Sequence, residues 1–430
     1  MLREWMMEEI ERRTIRKLSV RLLPVLILGY LIAFIDRSNI GFATLTMGPQ
    51  LGIGSAAFGF GSGLFFVAYV LFEVPSNLAQ ERFGARLWIA RIMISWGLAG
   101  LAMVAVRGPV SFSLARFLLG AAEAGFFPGV ILYLSQWFPR AHRSRIVALF
   151  MVSIPLSNVV GSALSAMLLS LDGMLGLRGW QWLFLLESVP AIVLGVLVPF
   201  VLADRPEQVR WLSADERAWL GNALLAEQAD AGGSHGSAWK VIADRRVWAL
   251  ALIYCGSSAT SNVLSVWQPQ IIQSFGLTLW QTACLNMVPF VAATGFMIFW
   301  GHRADIRGSR IGPTAGPLMV TSAALFLMLV TSSLVATMGL LVVMLVANYA
   351  LKGPFWALSS ETLGARDAAA GIAAINALAH LGTSGVNTLF GVLHERSGSF
   401  GVALLPLAIL TLAGCGMTLL LGQSRLAGRA

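Results

Sequence analysis

The sequence predicts an all-α integral membrane protein of twelve transmembrane helices arranged as two six-helix bundles. Three observations carry this: an apolar composition, a series of hydrophobic spans split six and six, and a charged motif repeated in each half. Of the 430 residues, 57% are hydrophobic and only 12% charged, against roughly 25% charged in a soluble domain. A hydrocarbon core of ~30 Å needs ~20 mostly apolar residues per helix. Such spans run over residues 20–42, 57–80, 87–106, 111–135, 146–170 and 181–203. Six more cover 247–273, 281–300, 311–332, 338–360, 369–392 and 401–422.

In chain order, residues 1–19 (MLREWMMEEIERRTIRKLS) are too polar for a signal peptide and are expected to form a cytoplasmic amphipathic helix at the inner surface. Residues 20–203 form the first bundle, and 204–246 a cytoplasmic linker that is helical at first and then Gly/Ser-rich. Residues 247–422 form the second bundle and 423–430 a cytoplasmic tail.

The net charge of +9 invites a nucleic-acid reading, but its distribution excludes one. Lys and Arg crowd the segments 1–19, 82–86, 140–145, 205–246 and 303–310. The opposite loops carry only Arg107, Arg178 and Arg396. The positive-inside rule therefore puts both termini in the cytoplasm, and the basicity records topology. Cys255, Cys284 and Cys415 lie in apolar spans without metal-type spacing and are expected to serve packing. Neither a nucleophile motif nor a phosphate-binding glycine loop is present, so the chain reads as no enzyme, with no cofactor.

The repeat is direct. "NLAQERFGAR" (77–86) follows span two, and "GHRADIRGSR" (301–310) follows span eight. At one constant offset Glu81 matches Asp305, Gly84 matches Gly308 and Arg86 matches Arg310. A glycine for a tight turn, an acid near a helix end and arginines at the inner interface suit a cytoplasmic hairpin.

An ion inside the bilayer costs several kcal/mol and marks a functional site by default. The spans hold Asp36, Arg37, Glu73, Arg116, Glu123, Glu187 and Lys352. At 1.5 Å per residue, Asp36 and Arg116 both lie about 10 Å below the outer ends of their helices. Glu123 is on the Arg116 face, about two turns deeper. Such a set can exchange salt bridges for protons, since protonating a carboxylate frees an arginine to hold an anion. The alternative is a static Asp36–Arg116 tether. Glu73 and Glu187, nearer helix ends, are expected to be paired structurally. Lys352 is either a second cation for substrate or a snorkelling side chain. Tyr69, Asn158, Gln268, Trp356, Asn376 and His380 are polar or amphipathic groups that fit a cavity or bridge helices.

The paired inner-loop motifs resemble those of the major facilitator superfamily. The segments "FIDRSNIGFA" (34–43), "YVLFEVPSNLAQERFGAR" (69–86), "RFLLGAAEAGFFPG" (116–129), "YLSQWFPRAHRSRIVALFM" (133–151), "RGWQWLFLLE" (178–187) and "KGPFWALSS" (352–360) resemble its anion:cation symporter branch. That branch includes permeases for tartrate, phthalate, hydroxyphenylacetate and sugar acids and, distantly, sialin. The resemblance implies two bundles rocking around a central cavity, with Glu81, Arg86, Asp305 and Arg310 at the inner gate. It gives Arg37 the substrate carboxylate, and Asp36, Arg116 and Glu123 proton coupling. It also places Tyr69, Trp356 and Asn376 along the cavity, where Lys352 and His380 are further substrate-binding candidates. Phe34 stands where sugar-acid transporters often carry tyrosine, which removes a hydroxyl from the cavity. The expected protein is a monomeric symporter of the bacterial inner membrane. Its partners would be a small organic anion, protons and the lipid bilayer, and it would import a dicarboxylate, sugar acid or aromatic acid. A proton-independent exchanger or facilitator of the same fold is the alternative.

Overall fold

A computed structural model describes residues 2–230, 243–307 and 310–427, and these are helical apart from short turns. The first half contains α1 (Leu2–Leu51), α2 (Ser55–Phe83), α3 (Ala85–Ala102), α4 (Pro109–Glu123), α5 (Phe126–Trp137), α6 (Arg140–Met151), α7 (Ser153–Leu169) and α8 (Gly179–Val201). A connecting helix, α9 (Ala214–Asp230), follows. The second half contains α10 (Arg245–Gln273), α11 (Leu279–Arg307), α12 (Ile311–Leu327), α13 (Leu334–Ala350), α14 (Lys352–Ser397) and α15 (Phe400–Ala427).

Among the described residues, nine helical spans are both long and apolar enough to cross a membrane. The expected ninth span, α12, is apolar but only 17 residues long. The expected eighth lies in the 29-residue α11, and the expected eleventh lies in α14. Although α14 is assigned as one helix of 46 residues, it doubles back. A Cβ on Gly371 would touch the side chain of Leu363, whereas eight residues of straight helix separate their ends by about 12 Å.

The amphipathic N-terminal segment is not a separate element, because it is the first part of α1 and runs on into the first span. It is fastened to its surroundings by polar contacts. Lys17 Nζ donates to Glu216 Oε2 of α9 at 2.8 Å, and His142 Nε2 meets Glu11 Oε1 at 2.7 Å. Ser213 and Glu216 cap the start of α9 reciprocally. Burial opposes the charge on Glu216, but the Lys17 ammonium and the Ser213 N–H outweigh it and hold the carboxyl below its ordinary value. Arg143 reaches Glu227 at the other end of α9, at 3.2 Å.

Two glycines are required by backbone geometry. Gly84 (φ +87°) turns α2 into α3, and a Cβ there would come 2.9 Å from Asp204 Oδ1. That carboxylate accepts the Arg86 N–H at 2.9 Å and so fixes the hairpin. Gly125 (φ +87°) breaks the fourth span, and a Cβ there would collide with Ser76. The break follows directly on Glu123, the last residue of α4. Cys255 and Cys415 are buried as expected, but Cys284 is exposed and so serves no packing role in the core.

The apolar cores show how the halves meet. At the end named outer by the charge asymmetry, one core joins residues of both halves, including Ile40, Phe58 and Trp180 with Trp267, Phe290 and Phe390. At the inner end each half keeps its own core, one built around Trp96, Phe126 and Tyr133 and the other around Val247 and Phe355. Hydrogen bonds between the halves lie toward the outer end. Asn286 Nδ2 donates to Ser162 Oγ at 2.8 Å and Ser265 Oγ to Asn158 Oδ1 at 2.9 Å. The Ala56 N–H, at the start of α2, donates to Glu395 Oε2 of α14 at 2.7 Å. The two halves are joined at this end, with a cavity beneath the junction.

Candidate substrate cavity

The cavity lies between the halves and measures about 80 Å³, room for several waters or a compact solute. Its cationic wall comes from α1 and α4. Arg37 donates through Nε and Nη2 to Glu123, both contacts at 2.7 Å and both to the single oxygen Oε1. Glu123 Oε2 has no hydrogen-bond partner. The Glu123 side chain is 1% exposed and that of Arg37 12%, so the arginine faces the cavity and the carboxylate stands behind it.

Aromatic rings hold the guanidinium groups in place. Arg37 lies over Phe34, Phe65 and Tyr69 at 4.9, 5.4 and 5.0 Å from the ring centroids. Arg116 lies over Phe65 at 4.7 Å, so one ring supports both arginines. Phe34, without the hydroxyl of a tyrosine, gives Arg37 a π-face.

Both arginines, Tyr69, Lys352, Asn376 and His380 line the cavity. Lys352 Nζ sits 4.2 Å from the centroid of the Tyr349 ring. His380 stacks on Phe66 at 5.4 Å, and its Nδ1 has no partner. Trp356 is not brought to the cavity. It packs at 4.6 Å behind Tyr254, and Tyr254 is the ring that reaches the lining. Gln268 also lies away from the cavity, donating to Asn286 Oδ1 at 2.9 Å.

Asp36 is buried and does not line the cavity. The expected Asp36–Arg116 ion pair is absent in this state. The two groups are within electrostatic range, but no contact within salt-bridge distance joins them among the described residues. Arg37 instead pairs with Glu123. Glu187 has no cation within salt-bridge distance among the described residues, and the donor that faces its buried carboxylate is the Asn39 amide.

Of the residues expected at an inner gate, Glu81 is exposed and the Arg86 backbone N–H is held by Asp204. Arg310 Nε reaches Glu361 Oε1 at 3.4 Å. The side chain of Asp305 lies outside the described residues, as does Gly308.

One wall was missed from the sequence. Ser258, Ser261, Asn262 and Ser265 of α10 all line the cavity. Their spacing of three, one and three puts them on one helical face. The run "CGSSATSNVLS" (255–265) inside an apolar span carried that signal. Tyr30, Tyr254 and Tyr349 also line the cavity, as does Asn158, and these polar groups suit a hydrogen-bonding solute.

Two helical halves around a polar, cationic cavity, joined at one end, define a membrane transporter. The pattern of the Major Facilitator Superfamily matches residues 26–386, and the chain belongs to that family, one of transporters and not of enzymes. It is 45% identical over 416 residues to a putative tartrate transporter of Agrobacterium vitis, covering 97% of this chain and 93% of that protein. It is 38% identical over 412 residues to a quinolone resistance transporter of Acinetobacter baumannii, covering 95% of each. Among solved structures, a bacterial homolog of the human lysosomal transporter Spinster, inward-facing and occupied, superposes with a TM-score of 0.76 at 15% identity. That match covers 94% of this chain and 96% of the other and speaks to the fold alone.

Proposed function

We propose that this protein is a proton-coupled symporter that imports a small organic carboxylate, of the tartrate-like class, by alternating access. It would do so through twelve membrane crossings of a bacterial inner membrane, with both termini cytoplasmic and as a monomer.

The observation that carries the reading is the Arg37–Glu123 pair. Arg37 places Nε and Nη2, two of its five N–H donors, on one oxygen, whereas a substrate carboxylate offers two oxygens to the fork. An entering anion must still displace Glu123, and leaving that carboxylate charged and buried without its partner opposes binding. Protonating Glu123 removes that cost. Anion binding and proton binding therefore favour one another. Lys352 supplies a second cation across the cavity, which suits a dicarboxylate, and the serine and tyrosine hydroxyls suit hydroxyl groups on it. The 45% identity to a putative tartrate transporter over nearly the whole chain agrees.

In the transport cycle, the outer junction opens and Glu123 takes a proton from outside. Arg37 then turns to the substrate, and closure exposes the loaded cavity inward. Gate residues Glu81, Arg86, Asp305 and Arg310 would form the matching inner contacts in the outward-open state.

The test has two parts. A thermal-shift panel on purified protein, covering tartrate, dicarboxylates, sugar acids, aromatic acids and a quinolone, identifies the ligand. Uptake of that ligand into proteoliposomes under an imposed pH gradient, with and without a protonophore, reads the coupling. Tartrate-class stabilisation and protonophore-sensitive accumulation are expected. Uptake that ignores the gradient and needs an internal counter-anion would establish exchange instead.

A further inference from the structure

At the outer end of the cavity, one contact between the halves has no role in the cycle just described. Ser265 Oγ of α10 donates to Asn158 Oδ1 of α7 at 2.9 Å, and both residues line the cavity. Among the described residues, no other hydrogen bond between the halves has both its partners in that lining. Asn158 is buried, and its Nδ2 is given to the Ile154 carbonyl of its own helix at 3.1 Å. The amide is thereby held with Oδ1 toward α10. A second rung stands about one turn further out. Ser162 Oγ accepts Asn286 Nδ2 at 2.8 Å, and Asn286 Oδ1 accepts Gln268 Nε2 at 2.9 Å. Neither Ser162, Asn286 nor Gln268 lines the cavity. The outer rung joins the halves away from a solute, and the inner rung joins them against one.

The other polar groups of the α10 wall are satisfied inside the second half. Ser261 Oγ accepts Asn348 Nδ2 at 2.6 Å, and Asn262 Nδ2 donates to the Ser258 carbonyl at 2.8 Å. The Asn158–Ser265 bond differs, because parting the halves breaks it. An acceptor is then left on one wall of the cavity and a donor on the other, and a buried polar group without a partner is costly. A hydroxyl can stand between them, since it donates one hydrogen bond and accepts another. A methylene does neither. A carboxylate only accepts, so it would set its charge against the Asn158 carbonyl.

We propose that Asn158 and Ser265 are a specificity-determining pair: together they read one hydroxyl of the substrate and so select hydroxylated acids over their deoxy counterparts. The inference rests on the carboxylate-transport reading and deepens it, because Arg37 and Lys352 hold a bare diacid as readily as a hydroxylated one. In the empty cavity the two residues bond directly. With substrate present, its hydroxyl donates to Asn158 Oδ1 and accepts from Ser265 Oγ, and the halves are tied together through the solute. A deoxy acid still meets the cations. It leaves this acceptor and donor unpaired for as long as it holds them apart, and a site arranged around a hydroxyl rejects an analogue that lacks it.

The test is calorimetry on the purified full-length protein with three diacids of one carbon skeleton, succinate, malate and tartrate, which carry no, one and two hydroxyls. Wild type should bind tartrate at least about tenfold more tightly than succinate. Asn158→Leu and Ser265→Ala should each lower that ratio about tenfold while succinate affinity is kept. The double variant should go no further than either single one, since both residues read one group. Ser265→Thr keeps the hydroxyl and should keep the ratio. Ser162→Ala removes a bond between the halves outside the cavity and should leave the ratio as in wild type. An equal loss for all three acids would make the bond merely structural and overturn the pair. A ratio lowered as much by Ser162→Ala would do the same. Should Asn158→Leu fail to fold, Ser265→Ala, which removes a single oxygen, decides alone. Diacids that all bind wild type equally reject the pair and keep the carboxylate reading. If no diacid binds, that reading fails, and the pair is judged on the hydroxylated ligand that does bind, against its deoxy analogue. A Ser265-dependent preference there keeps the pair, and a protein that binds no hydroxylated ligand rejects both.

Discussion

Replacing Glu123 by glutamine isolates the exchange at Arg37. With the halves joined at the outer end, Arg37 places Nε and Nη2 on Glu123 Oε1, each at 2.7 Å, and Oε2 accepts nothing. Two unit charges ~4 Å apart attract by ~4 kcal/mol at an effective dielectric near 20. Much of that is offset by desolvation of the carboxylate, so the net competition facing an incoming anion is about 1–2 kcal/mol. Glutamine keeps the shape and a carbonyl acceptor but removes the charge. Anion binding above neutral pH should therefore tighten by about 5- to 30-fold and lose its pH dependence. Wild-type affinity should approach the variant's as the medium is acidified. Calorimetry on purified protein across pH reads the affinity. Counterflow of labelled substrate, run beside pH-driven uptake, reads exchange and accumulation separately. Exchange should survive and accumulation should fail. Weaker binding at every pH, or accumulation that persists, would refute the role given to Glu123.

Three further outcomes follow from the same geometry. Arg37→Ala should abolish anion binding and uptake while thermal stability without ligand is largely kept, because the stranded Glu123 takes a proton in place of its cation; near-normal affinity would put the substrate elsewhere. Lys352→Met should weaken a dianion by ~1.5–3 kcal/mol and a monocarboxylate little, read by calorimetry on a matched pair of acids. At the inner surface, the lowered Glu216 carboxyl contributes stability that is full above its unfolded value near 4.3 and lost only as the pH falls through the lower folded value. Docking of α9 should accordingly hold at neutral pH, and Lys17→Met should speed amide exchange there by up to about fivefold, since the pair is partly exposed and worth about 1 kcal/mol at most.

The membrane character and the two helical halves were legible because they rest on composition and on the number and length of the spans; of the repeated turn, the structure describes only the first copy, at Gly84. Rotation of each helix about its axis was not legible. Asp36 and Arg37 are neighbours in sequence, yet consecutive residues point ~100° apart on a helix. Arg37 therefore enters the cavity, and Asp36 turns away from it toward Gly100 of α3 and Ser188 of α8. Depth along the axis put Asp36 level with Arg116, but depth says nothing of facing, and Arg37 took Glu123 instead. The break at Gly125 is visible as "GAAEAGFFPG" (120–129), but the close approach of Ser76 from α2, which leaves no room for a Cβ there, is not. Trp356 failed as a cavity residue for a similar reason: Tyr254, on another helix, stands in front of it. The α10 serine face was readable from spacing alone and was overlooked because small hydroxyls are also common as bridges between helices.

The most direct measurement of the central claim is internal acidification during uptake. Proteoliposomes carrying the wild-type protein and an enclosed pH dye are given the acid that the ligand panel identifies, with no imposed gradient and the membrane potential clamped. If anion binding at Arg37 requires a proton on Glu123, the interior should acidify in step with uptake, and Glu123→Gln should exchange substrate with no acidification. Wild-type uptake that proceeds at full rate while the internal pH stays flat would contradict the coupling of Arg37 to Glu123.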